Sequence, residues 1–120
     1  MSTEATELQL YIENDGGLYR QQGLPILKNL ATKVASGKYE HDKAVKLYMH
    51  FAESGAKKYA KEFGGGEWQR MFPVPVRKEV AIAFTKDFER ECAAGQYADL
   101  IPKKYQPKPS KPAPKSRRRA

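Results

Sequence analysis

Lys103, Lys104, Lys108, Lys111, Lys115, Arg117, Arg118 and Arg119 place eight positive charges and no negative one in the last 19 of 120 residues. Cations at this density attract phosphates and displace their condensed counterions, the sequence-independent part of nucleic-acid binding. With all eight engaged on duplex DNA, log affinity falls against log salt with a slope of about −7, an upper bound because some cations stay free. Such residues hold a phosphate backbone without reading bases, so specificity, if any, has to come from the rest of the chain. An anionic membrane or an acidic protein would attract the same charges. The Pro109 to Pro112 stretch also has the Pro-x-x-P spacing that enters SH3-like grooves. There is no lipidation motif, and Arg117 to Arg119 are too few to read as a targeting signal.

Other reactive residue types have plainer readings. Gly64 to Gly66 lack the Gly-Lys-Ser/Thr ending of a phosphate-binding loop and read as a helix terminator. His41 and His50 have no cysteine or further histidine to complete a zinc set, and read as surface or boundary residues. The single cysteine, Cys92, lies in no recognised nucleophile signature and reads as a small buried filler. The pairs Glu89 with Glu91 and Glu13 with Asp15 are two residues apart, so their side chains project differently and read as solvated faces. No cofactor, metal or enzymatic activity is expected. Among seven tyrosines, some beside Lys46, Lys57 and Lys58 could stack on unpaired bases, but Tyr48 and Tyr59 fall on an apolar stripe that favours packing. Trp68, Met71 and Phe72 form an aromatic-rich connection that either covers the core or anchors a partner, with core cover favoured.

These residues need a scaffold, and the charge distribution shows where it is. The net charge of +8 arises entirely after Ile101, because residues 1–101 carry 14 basic and 14 acidic side chains. This first part is long enough for one core. Residues 4–13 stay ambiguous: Leu8, Leu10 and Ile12 alternate as a strand does, and Leu8, Tyr11 and Ile12 also sit at helical spacing. Asp15 can accept backbone hydrogen bonds at the start of a second element over 17–35, where Pro25 predicts a kink or two short helices meeting near Gly23 and Leu24. Ser36 and Gly37 end it.

Asp42 is positioned to cap the clearest helix, which runs to about Phe63 and is flanked by Lys43, Lys46, Lys57, Lys58 and Lys61. Gly55 in its middle costs about 1 kcal/mol against alanine and implies a close approach or a break. A last helix is expected from Pro75 to about Ala94, with Gly95 as its stop, after which Tyr97, Leu100 and Ile101 pack back on the body. The fold expected is all-α: a small compact helical bundle over 1–101, followed by a disordered basic, proline-rich arm over 102–120. At about 3.1 Å per residue the arm would reach roughly 59 Å.

The stretches Leu10 to Gln22, Ala44 to Tyr48 and Gly55 to Gly64 resemble short uncharacterised proteins of phages and other mobile elements. The resemblance covers the body rather than the arm and implies a small accessory protein of bacterial or phage origin. No activity or site residue comes with it. No stretch is long and apolar enough for a membrane span, and one cysteine suits a reducing cytoplasm. Together these observations lead to the expectation of a non-catalytic nucleic-acid-associated protein that binds DNA or RNA without sequence preference. The alternative is a protein-interaction module, an inhibitor or adaptor, using Trp68, Met71, Phe72 and adjoining helix faces.

Overall fold

Ser2 opens the first helix: its hydroxyl accepts from the Ala5 amide at 3.2 Å, and its own amide donates to Glu79 at 3.0 Å. The computed structural model describes residues 1–64 and 66–105. Helix α1 (Thr3–Glu13) resolves the ambiguity at 4–13. Ala5, Leu8 and Ile12 are buried at helical spacing, whereas Leu10, which a strand pattern would have buried, is 52% exposed. Packing of one stripe against neighbouring helices decides what periodicity alone could not.

Asp15 caps α2 (Gly16–Leu18) by accepting from the Leu18 amide at 2.9 Å. A π turn over Tyr19–Gly23 then leads into α3 (Leu24–Ala35). The break falls where Pro25 predicts it. Pro25 has no N–H for the carbonyl one turn back, and the Leu24 amide reaches the Tyr19 carbonyl five residues away, widening the turn without ending the helix.

Helix α4 (His41–Phe63) starts earlier than expected. Extended Glu40 takes the cap position, so Asp42 is not the cap. It lies in the first turn, where its charge suits the helix dipole. Gly64, at φ 64°, closes α4 in the left-handed conformation. Short α5 (Trp68–Met71) leads to α6 (Val74–Ala93), whose first turn includes Pro75.

The α4–α6 pairing is the most extensive interface of the bundle, with α1 lying across both. Phe88, Val80 and Thr85 of α6 are fully enclosed, and the Thr85 hydroxyl is satisfied by the Ala81 carbonyl at 2.7 Å. Tyr97 returns to stack on Phe88 with ring centroids 5.6 Å apart and planes 8° from parallel, and Ile101 packs on the core. The described residues form an all-α bundle without a strand. Helical structure continues beyond the expected boundary at Ile101, because Lys103–Tyr105 form a 3-10 turn closed by the Tyr105 amide on the Pro102 carbonyl at 2.9 Å. Residues 106–120 of the expected arm lie outside the described residues.

Tyrosine–carboxylate bonds tie the helices together. Tyr11 donates to Glu62 at 2.7 Å, Tyr59 to Glu7 at 2.5 Å and Tyr39 to Glu89 at 2.6 Å, while Tyr97 donates to Glu91. Burial, followed by the Glu62 hydrogen bond and charge, pushes Tyr11 up to about 12, and burial with Glu89 or Glu91 likewise raises Tyr39 and Tyr97. The favoured form is the neutral phenol. Its contribution is therefore complete below the ordinary tyrosine value of 10 and is lost as pH rises through the higher folded values. Tyrosinate absorbance from Tyr11 is expected to emerge near pH 12, together with loss of helical circular dichroism. Ionisation of all seven tyrosines near pH 10 with helicity intact would contradict these contacts.

Candidate nucleic-acid interface

Lys103 and Lys104 are exposed on the last described turn, and the Lys104 ammonium lies 5.0 Å from the Tyr105 ring centroid. A cation beside a flat ring offers a phosphate contact and a stacking face together. Lys108, Lys111, Lys115, Arg117, Arg118 and Arg119 lie outside the described residues.

The body adds a second set of cations. At about 100° per residue, Lys43, Lys46, His50, Lys57 and Lys61 fall within about 60° of one another on α4, nearly opposite the face that buries Tyr48, Phe51, Ala52 and Gly55. All five are exposed. The stripe is about 27 Å long, most of one turn of B-DNA at about 34 Å. Its lysines were legible in the sequence as flanks of an apolar stripe. Their alignment on one ridge becomes plain once the buried face is fixed.

Ion pairs decide which cations are available. Lys58 lies 2.6 Å from Asp15, and this bond, with the Leu18 amide beside it, holds the Asp15 carboxyl below the ordinary value. Lys58 thus pins α4 to the α2 cap. Lys43 meets Glu40 at 2.9 Å and Lys57 meets Glu53 only at 4.0 Å. These exposed pairs are weak enough for a phosphate to displace the carboxylate. Lys46 and Lys61 have no carboxylate within ion-pair distance among the described residues. Two open clefts flank the ridge: one of about 720 Å³ presents Lys57, Lys58 and Lys61, and one of about 430 Å³ presents Lys33, Lys38 and Lys43.

The 68–72 segment behaves mainly as cover. Phe72 is only 2% exposed and meets the Tyr59 ring edge-on at 5.1 Å, so a docking protein would reach Trp68 and Met71 but not Phe72. Trp68 is half-buried under two cations, with Arg77 4.8 Å and Lys57 5.2 Å from its ring. Arg77 is itself buried and donates through Nε to the Phe72 carbonyl at 2.8 Å. One side chain thereby locks the connection onto α6.

Among the described residues, the remaining candidates His41, His50 and Cys92 lie apart from one another in the chain. His41 Nδ1 lies 2.7 Å from Glu89 Oε2, the oxygen that also accepts from Tyr39. Partial burial opposes the charge on Glu89, but bonds from Tyr39 and His41 outweigh it and hold the carboxyl below its ordinary value. Neither His41 nor Glu89 lines any of the clefts described, so they form a surface clamp. His50 is exposed on the α4 ridge. Burial pushes the Cys92 thiol up, the wrong direction for a nucleophile. Tyr48 is 4% exposed, and the half-buried Tyr59 ring packs against those of Tyr11, Phe63 and Phe72, with centroids 5.1, 4.7 and 5.1 Å away.

No helix among the described residues is long and apolar enough to cross a membrane. No family model, curated protein or solved structure matches the chain.

Proposed function

We propose that this chain is a small, non-catalytic accessory protein that associates with nucleic acid by electrostatic contact with phosphates, in the cytoplasm of a bacterial or phage-infected cell. The observation that carries this reading is the separation of charge along the sequence: a balanced body precedes 19 residues that hold eight cations and no anion. Lys103, Lys104, Lys108, Lys111, Lys115, Arg117, Arg118 and Arg119 supply the main contacts. The α4 ridge, through Lys46, Lys57 and Lys61, adds a shorter and more rigid set. Lysine ammonium groups hold phosphates as point charges, so this set adds affinity without reading base edges.

Binding by charge alone predicts indifference to sequence. Two duplexes of equal length and unrelated sequence, titrated by fluorescence anisotropy, are expected to bind within about threefold of each other, because base readout would separate them by roughly 1–3 kcal/mol per contacted pair. A single strand binds with a shallower salt dependence, its slope per neutralised phosphate being about −0.7 against −0.9 for duplex. A preference of about a hundredfold for one duplex would show that side chains of the body read bases, and would overturn the non-specific reading.

A further inference from the structure

A third cleft differs in charge from the two beside the α4 ridge. Those two each carry three lysines, whereas this one carries Glu13, Asp87 and Glu91 and no cation. It opens among α1, the π turn, α3, α4, α6 and the segment after α6, and offers about 220 Å³. That is the space of about seven waters, enough for a small ligand and too little for a drug-sized one. Its walls are aromatic. Tyr48 and Phe84 stack there with centroids 5.6 Å apart, and Tyr19 and Tyr97 line the mouth.

The polar groups in the cleft are not all used by the protein. Tyr97 spends its hydroxyl on Glu91, and Asp87 is shared with Arg90 at 3.0 Å on the exposed side. Tyr48 is 4% exposed, lines the cleft and makes no hydrogen bond through its hydroxyl among the described residues. A hydroxyl this deeply buried is normally paired. Burial raises the Tyr48 phenol first, and the charges of Glu91 and Asp87, which line the same cleft, raise it further.

We infer that this cleft is a binding site for a small organic cation, an alkylammonium ion whose charge meets Glu91 and Asp87 while its carbon chain lies against the rings of Tyr19, Tyr48 and Phe84. Aromatic faces attract cations through their quadrupoles, the carboxylates neutralise the charge, and the Tyr48 oxygen accepts one N–H. An anion would meet three carboxylates, and a neutral alkane would leave the Tyr48 hydroxyl unpaired. The site is independent of the phosphate-binding surfaces and of opposite charge.

The test is a titration of the full-length chain, followed by tyrosine ring resonances, with n-butylammonium chloride at constant ionic strength. Saturable shifts at Tyr19, Tyr48 and Tyr97 are expected, half-complete on the order of 1 mM, as suits a ligand of so few atoms. The neutral counterpart n-butanol is expected to bind at least about tenfold more weakly, the loss of a charge-assisted contact in a partly buried site. Asp87→Asn and Glu91→Gln together should weaken binding by about tenfold or more. Tyr48→Phe deletes only an unpaired hydroxyl, so it should lower affinity several-fold while leaving the thermal unfolding midpoint unchanged or higher. It keeps the test decisive if the carboxylate variants fold poorly. An Nα-acetyl-lysine methylamide arm separates two sources of the same chemistry. Tighter binding than butylammonium assigns the ligand as a lysine side chain of a peptide, and weaker binding assigns a free amine. Equal binding of butanol and butylammonium, or no saturable shift at the three tyrosines, would overturn the inference.

Discussion

Replacing Gly55 by alanine is expected to destabilise the protein, although it removes a poor helix former from the middle of α4. A Cβ at this position would lie 2.4 Å from Ile12 Cγ1 and 2.5 Å from Ile12 Cδ1, with Leu8 Cδ1 at 3.7 Å. Ile12 is 2% exposed and β-branched, so its stem cannot swing away as the tip of a lysine could. Helix propensity favours the alanine by about 1 kcal/mol, whereas forcing a methyl into a packed interface costs about 1–3 kcal/mol, and contacts this short belong at the upper end. The net loss is then about 1–2 kcal/mol, which lowers the midpoint of thermal unfolding by on the order of 10 °C for a core of this size. Ile12→Ala makes room for the new methyl, so the double variant should lose less stability than the sum of the two single losses. A Gly55→Ala protein that melts higher than the parent would show that α1 and α4 do not approach this closely.

The largest expected effect on binding comes from neutralising Lys108, Lys111, Lys115, Arg117, Arg118 and Arg119 together as glutamine. Six lost cations reduce the salt slope by up to about 5. Proteins making six to ten phosphate contacts lose about 10³–10⁵ in affinity between 50 and 200 mM salt, and this variant should forfeit most of that dependence. Lys46, Lys57 and Lys61 changed to glutamine on the α4 ridge should reduce the slope by up to about 3. Neither variant alters the buried face of a described helix, so circular dichroism should match the parent; the ridge variant also gives up the Lys57 contact with the Trp68 ring, about 0.5–1 kcal/mol of stability. Should the ridge variant lose more than the tail variant, the principal contact would lie on the body and the assignment of the eight terminal cations would be wrong.

The features legible in the sequence were those set by local chemistry. Pro25 fixed the position of the break before α3, Gly64 and Gly95 marked helix ends that adopt positive φ, and Gly55 signalled a close approach. Other features depended on tertiary packing. Residues 4–13 satisfied two periodicities until α4 and α6 buried Leu8 and left Leu10 outside. Asp42 looked like a cap, yet Glu40 takes that position through its extended backbone without a side-chain bond. The linear charge count described the body as neutral, which is correct as a sum and hides two segregated surfaces: a lysine ridge on α4, and an acidic aromatic cleft that brings Glu13 of α1 to Asp87 and Glu91 of α6. Residues as far apart as Tyr19, Tyr48 and Tyr97 share a cleft because helices cross, a relation no spacing rule encodes.

The most direct measurement of the central claim is the affinity of the full-length chain for one duplex DNA across a range of salt concentrations. A straight decline of log affinity on log salt, steeper than about −4 and reaching −7 when all eight terminal cations contribute, is the predicted result. A slope near zero, or no binding even at the lowest salt, would contradict it.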